Sequence, residues 1–396
     1  MMQISPETQL FIREHSSDDV RVLALQAKKY PDIDMPTAIT QIAGRKVAAE
    51  KIPSWWEIEK IWYPKHLSLE QCSSEITARY KARLLQGDSL TDLTGGFGID
   101  CSFLATGFKS ATYVERQEEL CEIAAHNFPV LNLNHINIKN EDGVTYLQAM
   151  SPVDCLFLDP ARRNEHGGKT VAISDCEPNV AKLEGLLLSK ANRIMIKLSP
   201  MLDLSQALKE LPHTQEVHII SVNNECKELL LLLGQTAPEE IPVHCVNLST
   251  KGEQEKQLFV FTREQEQHSE CSYTDTLGNY LYEPNASLLK AGAFRSIAAA
   301  YSVKTLHPNS HLYTSETQIE GFPGRTFRII NRCSLNKKEI KENLSDLKKA
   351  NITVRNFPAT VAELRKRIKL AEGGDTYLFA STLNDGQKIL IRCGKV

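Results

Sequence analysis

The stretch Ser89-Leu90-Thr91-Asp92-Leu93-Thr94-Gly95-Gly96-Phe97-Gly98-Ile99-Asp100 constrains this chain more than any other. It reads as a short buried strand, a glycine turn and the start of a helix. Glycine adopts φ values that other residues avoid, so backbone can come close to a ligand here. In an open α/β sheet, ligands bind at such a junction.

From there the chain alternates strand and helix. Strands are expected at 89–93, 111–115, 136–140, 155–159, 193–198 and 216–222, with helices at 99–106, 117–127, 179–191 and 202–211. This alternation predicts a parallel sheet with helices on both faces and right-handed crossovers. Near-continuous apolar strands such as Cys-Leu-Phe-Leu at 155–158 agree with burial on both faces. Residues 227–233 read as a seventh strand, hairpinned against the sixth, although leucine favours helix. Residues 243–248 and 257–262 read as a further antiparallel pair.

Flanking regions differ. Residues 1–70 read as helical, with Asp18 or Asp19 capping a helix over 20–29 and Pro36 starting the next. Trp55, Trp56 and Trp62 form an aromatic cluster that packs this unit against the next domain or, alternatively, stacks on bases. Arg45, Lys46 and Lys51 form a solvated face or border a polyanion. A polar stretch at 264–272 marks a boundary. The expected domains are 1–70 (helical), 71–265 (sheet), 273–321 (connecting) and 322–396, where a βαβαββ pattern predicts a ferredoxin-like α+β unit with a small antiparallel sheet.

With 396 residues and a net charge of -3, the chain has no global attraction to nucleic acid. The charge is local instead. Residues 322–370 hold 13 Lys and Arg against four Asp and Glu, a balance of +9. Two basic helices and a basic strand in one small unit favour a polyphosphate partner, with Arg365, Lys366 and Arg367 among the expected contacts. The ten cysteines include no CxxC pair and none has a histidine at zinc-finger spacing, which argues against structural zinc and fits a reducing cytosol. The N-terminus is too charged for a signal peptide, and apolar runs such as Leu229–Leu233 fall far short of a membrane span. The expectation is a cytoplasmic protein without metal or membrane contact.

A glycine loop between strand and helix commonly holds either a dinucleotide pyrophosphate or S-adenosylmethionine. A pyrophosphate on the helix N-terminus would be repelled by Asp92, whereas an ammonium and a sulfonium would be favoured. Gly95-Gly96-x-Gly98 also departs from G-x-G-x-x-G. Charge and spacing favour S-adenosylmethionine, with Asp92, Thr94, Gly95, Gly96 and Gly98 around it. Glu115, ending the second strand, can take ribose hydroxyls, and Asp142, after the third, can take the adenine amine. Beyond the fourth strand, Asp159-Pro160-Ala161-Arg162-Arg163 presents a carboxylate for a target amine. Lys197 and Ser199 end the fifth strand on the same rim and are expected to line a substrate pocket.

Asp92-Leu93-Thr94-Gly95-Gly96-Phe97-Gly98 with Glu115, Asp142 and Asp159-Pro160-Ala161-Arg162 resembles class I S-adenosylmethionine-dependent methyltransferases over about residues 71–262. With QCSSEITARYKARL at 71–84 and EPNASLLKAGAF at 283–294, the whole chain resembles a bacterial family of RNA methyltransferases with a C-terminal THUMP-like domain. The resemblance implies a Rossmann-like seven-stranded sheet, S-adenosylmethionine as cofactor, and a base in tRNA or rRNA as acceptor. It implies Asp159, Pro160 and Arg162 as catalytic residues, with Arg163 on the substrate. Base-amine methyltransferases carry an aromatic where this chain has Arg162, and an arginine plane can stack on a base or bind phosphate. The alternatives are a protein or small-molecule methyltransferase, or a non-catalytic RNA-binding protein of the same fold.

Overall fold

The computed structural model describes residues 4–162, 172–250 and 256–396. Strands β1 (Ser89–Asp92), β2 (Ser110–Glu115), β3 (Ile136–Asn140) and β4 (Val153–Leu158) come first. Helices Ile99–Ala105, Glu118–Val130 and Gly143–Ala149 separate them. The two-residue strands β5 (Ala161–Arg162) and β6 (Cys176–Glu177) pair antiparallel, and helix Val180–Lys190 leads into β7 (Ala191–Leu198). With β8 (Thr214–Val222), β9 (Glu225–Leu233), β10 (Pro242–Leu248) and β11 (Lys256–Thr262) they form a nine-stranded sheet, ordered β11-β10-β8-β9-β7-β4-β1-β2-β3.

The register locates the site. Leu90 pairs in parallel with Ala111 on one side and Cys155 on the other. The chain steps from β1 to β2 and β3, then crosses back to place β4 on the opposite flank of β1. Strand order therefore reverses between β1 and β4, and the crevice at their carboxyl ends is the topological switch point. Asp92 ends β1 there, and Asp159 follows β4.

The leucine run of β9 shows tertiary context overriding helix propensity. Asn223 and Asn224, with φ of 50° and 66°, form the tight turn of a hairpin. Leu229–Leu233 are buried in the strand that follows. At the other end, β10 runs parallel to β8 and antiparallel to β11.

The chain divides into two compact units, 1–215 with 230–238, and 216–229 with 239–396. In the first, side chains of Ser5, Asp19 and Asp34 cap successive N-terminal helices. The helix expected over 20–29 ends at Leu25, and Ala27–Lys29 forms a separate 3-10 turn. Two of the three tryptophans serve as packing, while Trp56 is exposed with Arg45 over its ring at 5.6 Å. Trp55 is buried, with its ring edge-on to Phe97 at 5.2 Å, and Trp62 stacks on His126 at 3.7 Å. Asn127 fixes the same junction by accepting from the Trp62 amide and donating to its carbonyl, both at 2.9 Å.

In the second unit, β12 (Tyr280–Pro284), β13 (Lys304–Thr305), β14 (Tyr313–Ser315), β15 (Gly324–Cys333), β16 (Asn351–Arg355), β17 (Thr376–Thr382) and β18 (Lys388–Lys395) form one sheet. Its order is β13-β14-β12-β15-β18-β17-β16. The small antiparallel sheet expected after residue 322 differs in two ways. It continues through β12, and β16 runs parallel to β17 because helix Val361–Ile368 crosses between them. Buried Glu283 accepts from Arg325 Nε at 2.8 Å and from Arg355 Nη2 at 2.9 Å. Asn285 caps the next helix. The EPNASLLKAGAF stretch is therefore structural.

Candidate active site

The glycine loop is shaped by what lies behind it. A side chain on Gly95 would put its Cβ 2.3 Å from the Tyr113 ring. Gly98 has φ +86° and Gly96 φ +54°, and a Cβ on Gly96 would meet only the Thr94 carbonyl oxygen, at 3.8 Å. The loop thus backs onto Tyr113 of β2. Glu115 Oε2 accepts from the Gly96 amide at 2.9 Å, and Oε1 accepts from the Gln117 amide at 2.9 Å.

Asp92 is 1% exposed. Its Oδ1 accepts from the Thr94 amide at 2.9 Å, while Oδ2 has no partner among the described residues. Burial pushes its carboxyl up to about 8; the Thr94 amide opposes this, and Asp100, Asp159 and Glu115 add to it. Without a bound cation this group is largely neutral at pH 7. This modifies the simple picture of a standing negative charge.

Asp159 sits across the switch point. Its amide donates to Thr94 Oγ1 at 2.6 Å, tying the residue after β4 to the loop after β1. Its Oδ2 lies 2.5 Å from Lys197 Nζ. Burial in the cleft raises its carboxyl, with Lys197 the main opposing influence. The side chain keeps 36% exposure, so solvent moderates the rise. Pro160, buried behind it, ends the β4 ladder.

Behind Asp159 lies a buried ionic cluster that residue-by-residue reading of the sequence did not find. Lys81 Nζ meets Asp100 Oδ1 at 2.8 Å, and Lys197 Nζ meets Asp100 Oδ2 at 3.3 Å. Ser73 Oγ donates to Asp100 Oδ2 at 2.7 Å and accepts from Lys81 at 2.8 Å and Lys197 at 3.1 Å. Burial alone would raise the Asp100 carboxyl, but the two lysines override it and hold it at about 2. Ser73 and Lys81 both fall within QCSSEITARYKARL, and Asp100 closes the glycine stretch. Those motifs were the available signal.

The other expected site residues take distinct places. Asp142 caps helix Gly143–Ala149, its Oδ1 accepting from the Val144 and Thr145 amides at 3.1 and 3.0 Å. Ser199 follows β7 and accepts from the Met201 amide at 3.2 Å. Arg162 lies in β5, paired with Cys176, while Arg163 falls outside the described residues. Arg365 donates to the Ala350 carbonyl at 3.1 Å and Arg367 to that of Leu335 at 2.9 Å, whereas Lys366 is exposed. Among the described residues, Glu216, His218 and His244 bring possible metal-ligand atoms within 4.8 Å of one another. The two histidines stack at 4.3 Å and 11°, so their nitrogen lone pairs run side by side rather than converge.

Comparison with known proteins places this geometry in context. Residues 280–323 match a ferredoxin-like domain family, and residues 324–395 a THUMP domain-like family. The full chain is similar to a candidate methyltransferase from Porphyromonas gingivalis W83, at 35% identity, 100% coverage of both chains and a TM-score of 0.88. It also matches a candidate methyltransferase from Streptococcus mutans in complex with SAH, at 15% identity over 40% of this chain and 96% of that one, TM-score 0.31. An rRNA methylase from Streptococcus thermophilus matches at 13% identity over 40% of this chain and 93% of that one, TM-score 0.29. No curated protein matches the sequence.

Proposed function

The chain belongs to the methyltransferase family of the Porphyromonas protein, with a C-terminal THUMP-domain-like unit, and from that premise we propose that it methylates a base in structured RNA, tRNA or rRNA, from S-adenosylmethionine. The observation that carries this reading is the pairing of Asp92 and Asp159 at the switch point. One carboxyl has a buried oxygen with no partner among the described residues, and the other belongs to the residue whose amide is tied to the glycine loop through Thr94.

The cofactor fits these residues. An unpartnered, desolvated carboxyl oxygen is completed by a cationic group, which would also favour its ionisation. Asp92 and the 94–98 loop would hold the methionyl end, with Glu115 and Asp142 toward the nucleoside. When bound, S-adenosylmethionine supplies a methyl group already activated on sulfonium. The chain's own task is to bind, orient and keep water out. Asp159 Oδ1 makes no hydrogen bond among the described residues and is placed to accept from an exocyclic amine. Pro160 fixes the turn that presents it, and Arg162 and Arg163, next in sequence, are assigned to contact the acceptor.

The C-terminal unit supports an RNA acceptor. Helices Lys337–Leu344 and Val361–Ile368 bury only Leu344 and Leu364, and leave Lys338, Lys341, Lys366 and Lys369 exposed. Such a surface binds a phosphate backbone in a salt-dependent way. Mass spectrometry of nucleosides in total RNA from cells with and without the gene tests the proposal. Loss of one methylated nucleoside is expected. An unchanged profile across several growth conditions contradicts it.

A further inference from the structure

The cluster behind Asp159 brings two lysines and two carboxylates together. Lys81 is fully buried and Lys197 is 8% exposed. Both ammonium groups meet the largely buried carboxylate of Asp100, Lys81 on Oδ1 and Lys197 on Oδ2. A buried cation left uncompensated would be costly. Lys197 also meets Asp159 Oδ2, at 2.5 Å.

Hydrogen bonding fixes the geometry as well as the charge. Ser73 donates to Asp100 and accepts from both lysines, so one hydroxyl links all three charged groups. Lys197 Nζ has Ser73, Asp100 and Asp159 around it, at 3.1, 3.3 and 2.5 Å. Asp159 meets the ammonium through Oδ2, and its Oδ1 makes no hydrogen bond among the described residues.

We infer that Lys197, anchored by Lys81 through Asp100 and Ser73, is a positioning residue that keeps Asp159 ionised and aimed with Oδ1 at the acceptor. The acceptor side of this inference rests on the proposed methyl transfer; the ionic coupling does not. Among the described residues, the charged or titratable groups acting on Asp159 include Lys197 from β7, Lys81 from helix Glu75–Ala82, Asp100 from helix Ile99–Ala105 and Asp92 from β1. The two lysines lower its carboxyl pKa; Asp100 raises it. Removing Lys197 removes the nearest counter-charge and leaves the others in place.

The test uses the full chain labelled with carbon-13 at aspartate carboxyls, the Asp159 signal being assigned from Asp159→Asn. In Lys197→Met the Asp159 midpoint is expected to rise by about one pH unit or more, a tenfold change in its proton affinity. Lys197→Arg, which keeps the charge, should restore most of the original value. An unchanged midpoint in Lys197→Met overturns the inference. Should that variant unfold, Lys197→Gln, which keeps a polar group in the cluster, carries the same prediction and the same contradiction. Methyl transfer gives a second readout, with RNA from cells lacking the gene as acceptor. There Lys197→Gln should lower kcat on the order of 100-fold while SAH affinity stays unchanged. Equal kcat in variant and parent overturns the positioning role. Absence of transfer by the parent chain contradicts the proposed function, and the midpoint shift then decides the role of Lys197 alone.

Discussion

The amide of Gly96 donates to Glu115 Oε2 at 2.9 Å, so the carboxylate that ends β2 also closes the glycine loop. Its other oxygen takes the Gln117 amide at 2.9 Å. Each oxygen retains a lone pair for a ligand hydroxyl. Glu115→Ala should therefore lose SAH affinity by about tenfold or more, equivalent to about 1.4 kcal/mol, and speed amide exchange at Gly96 and Gln117. Glu115→Gln should lose less. Calorimetry and hydrogen exchange check this, and unchanged exchange in the alanine variant contradicts the loop-closing role.

Asp92 makes stability depend on pH with a definite sign. Its carboxyl rises from an ordinary 3.8 to about 8 on folding. Between those values the folded state keeps a proton that the unfolded chain gives up. The associated stability is fully present below about pH 4 and is lost as pH rises toward about 8, with a limiting slope of about 1.4 kcal/mol per pH unit. Asp92→Asn cannot ionise, so its urea-unfolding free energy should vary less between pH 5 and 8 and exceed the parent's at pH 8. It should also fail to bind SAH.

Asp100 separates two buried lysines, so its removal should be severe. Asp100→Ala removes the carboxylate that Lys81 and Lys197 both meet and should cost about 3–5 kcal/mol in denaturant unfolding. Pairing Asp100→Leu with Lys81→Met removes charge of both signs and should recover much of that loss. A single-variant cost below about 1 kcal/mol would mean that water replaces the carboxylate.

In the C-terminal unit, exposed and tied basic residues should behave differently. Lys366 and Lys369 are exposed on or just after helix Val361–Ile368. Replacing both with Gln should weaken tRNA binding and reduce the slope of log affinity against log salt by about two, with unfolding unchanged. Arg365 and Arg367 hold backbone carbonyls, so their replacement should also lower stability. Fluorescence anisotropy across a salt series, beside thermal unfolding, distinguishes the two classes.

The sheet was legible because its signals are local. Apolar runs, turns and acidic strand ends recur at short spacing from residue 89 to 222, and Asn223-Asn224 marks the hairpin that turns a leucine run into a strand. The rim residues Asp92, Glu115 and Asp159 followed from the same pattern. The cluster behind them was not legible. Ser73, Lys81, Asp100 and Lys197 lie far apart in sequence and meet only when two helices and a strand pack together. Lys81, between Arg79 and Arg83, looks like part of a solvated helix face, yet it is fully buried. The basic excess at 322–370 was legible in number but not in direction, because Arg325 and Arg355 are spent on Glu283.

Methyl transfer itself offers the most direct test. The purified chain is incubated with S-adenosylmethionine labelled in its methyl group and total RNA from cells lacking the gene. Label should enter RNase-sensitive, acid-insoluble material with the parent chain and not with Asp159→Asn, which should still bind SAH. Label confined to RNase-resistant material, or equal transfer by Asp159→Asn, would contradict methyl transfer to RNA at this switch point.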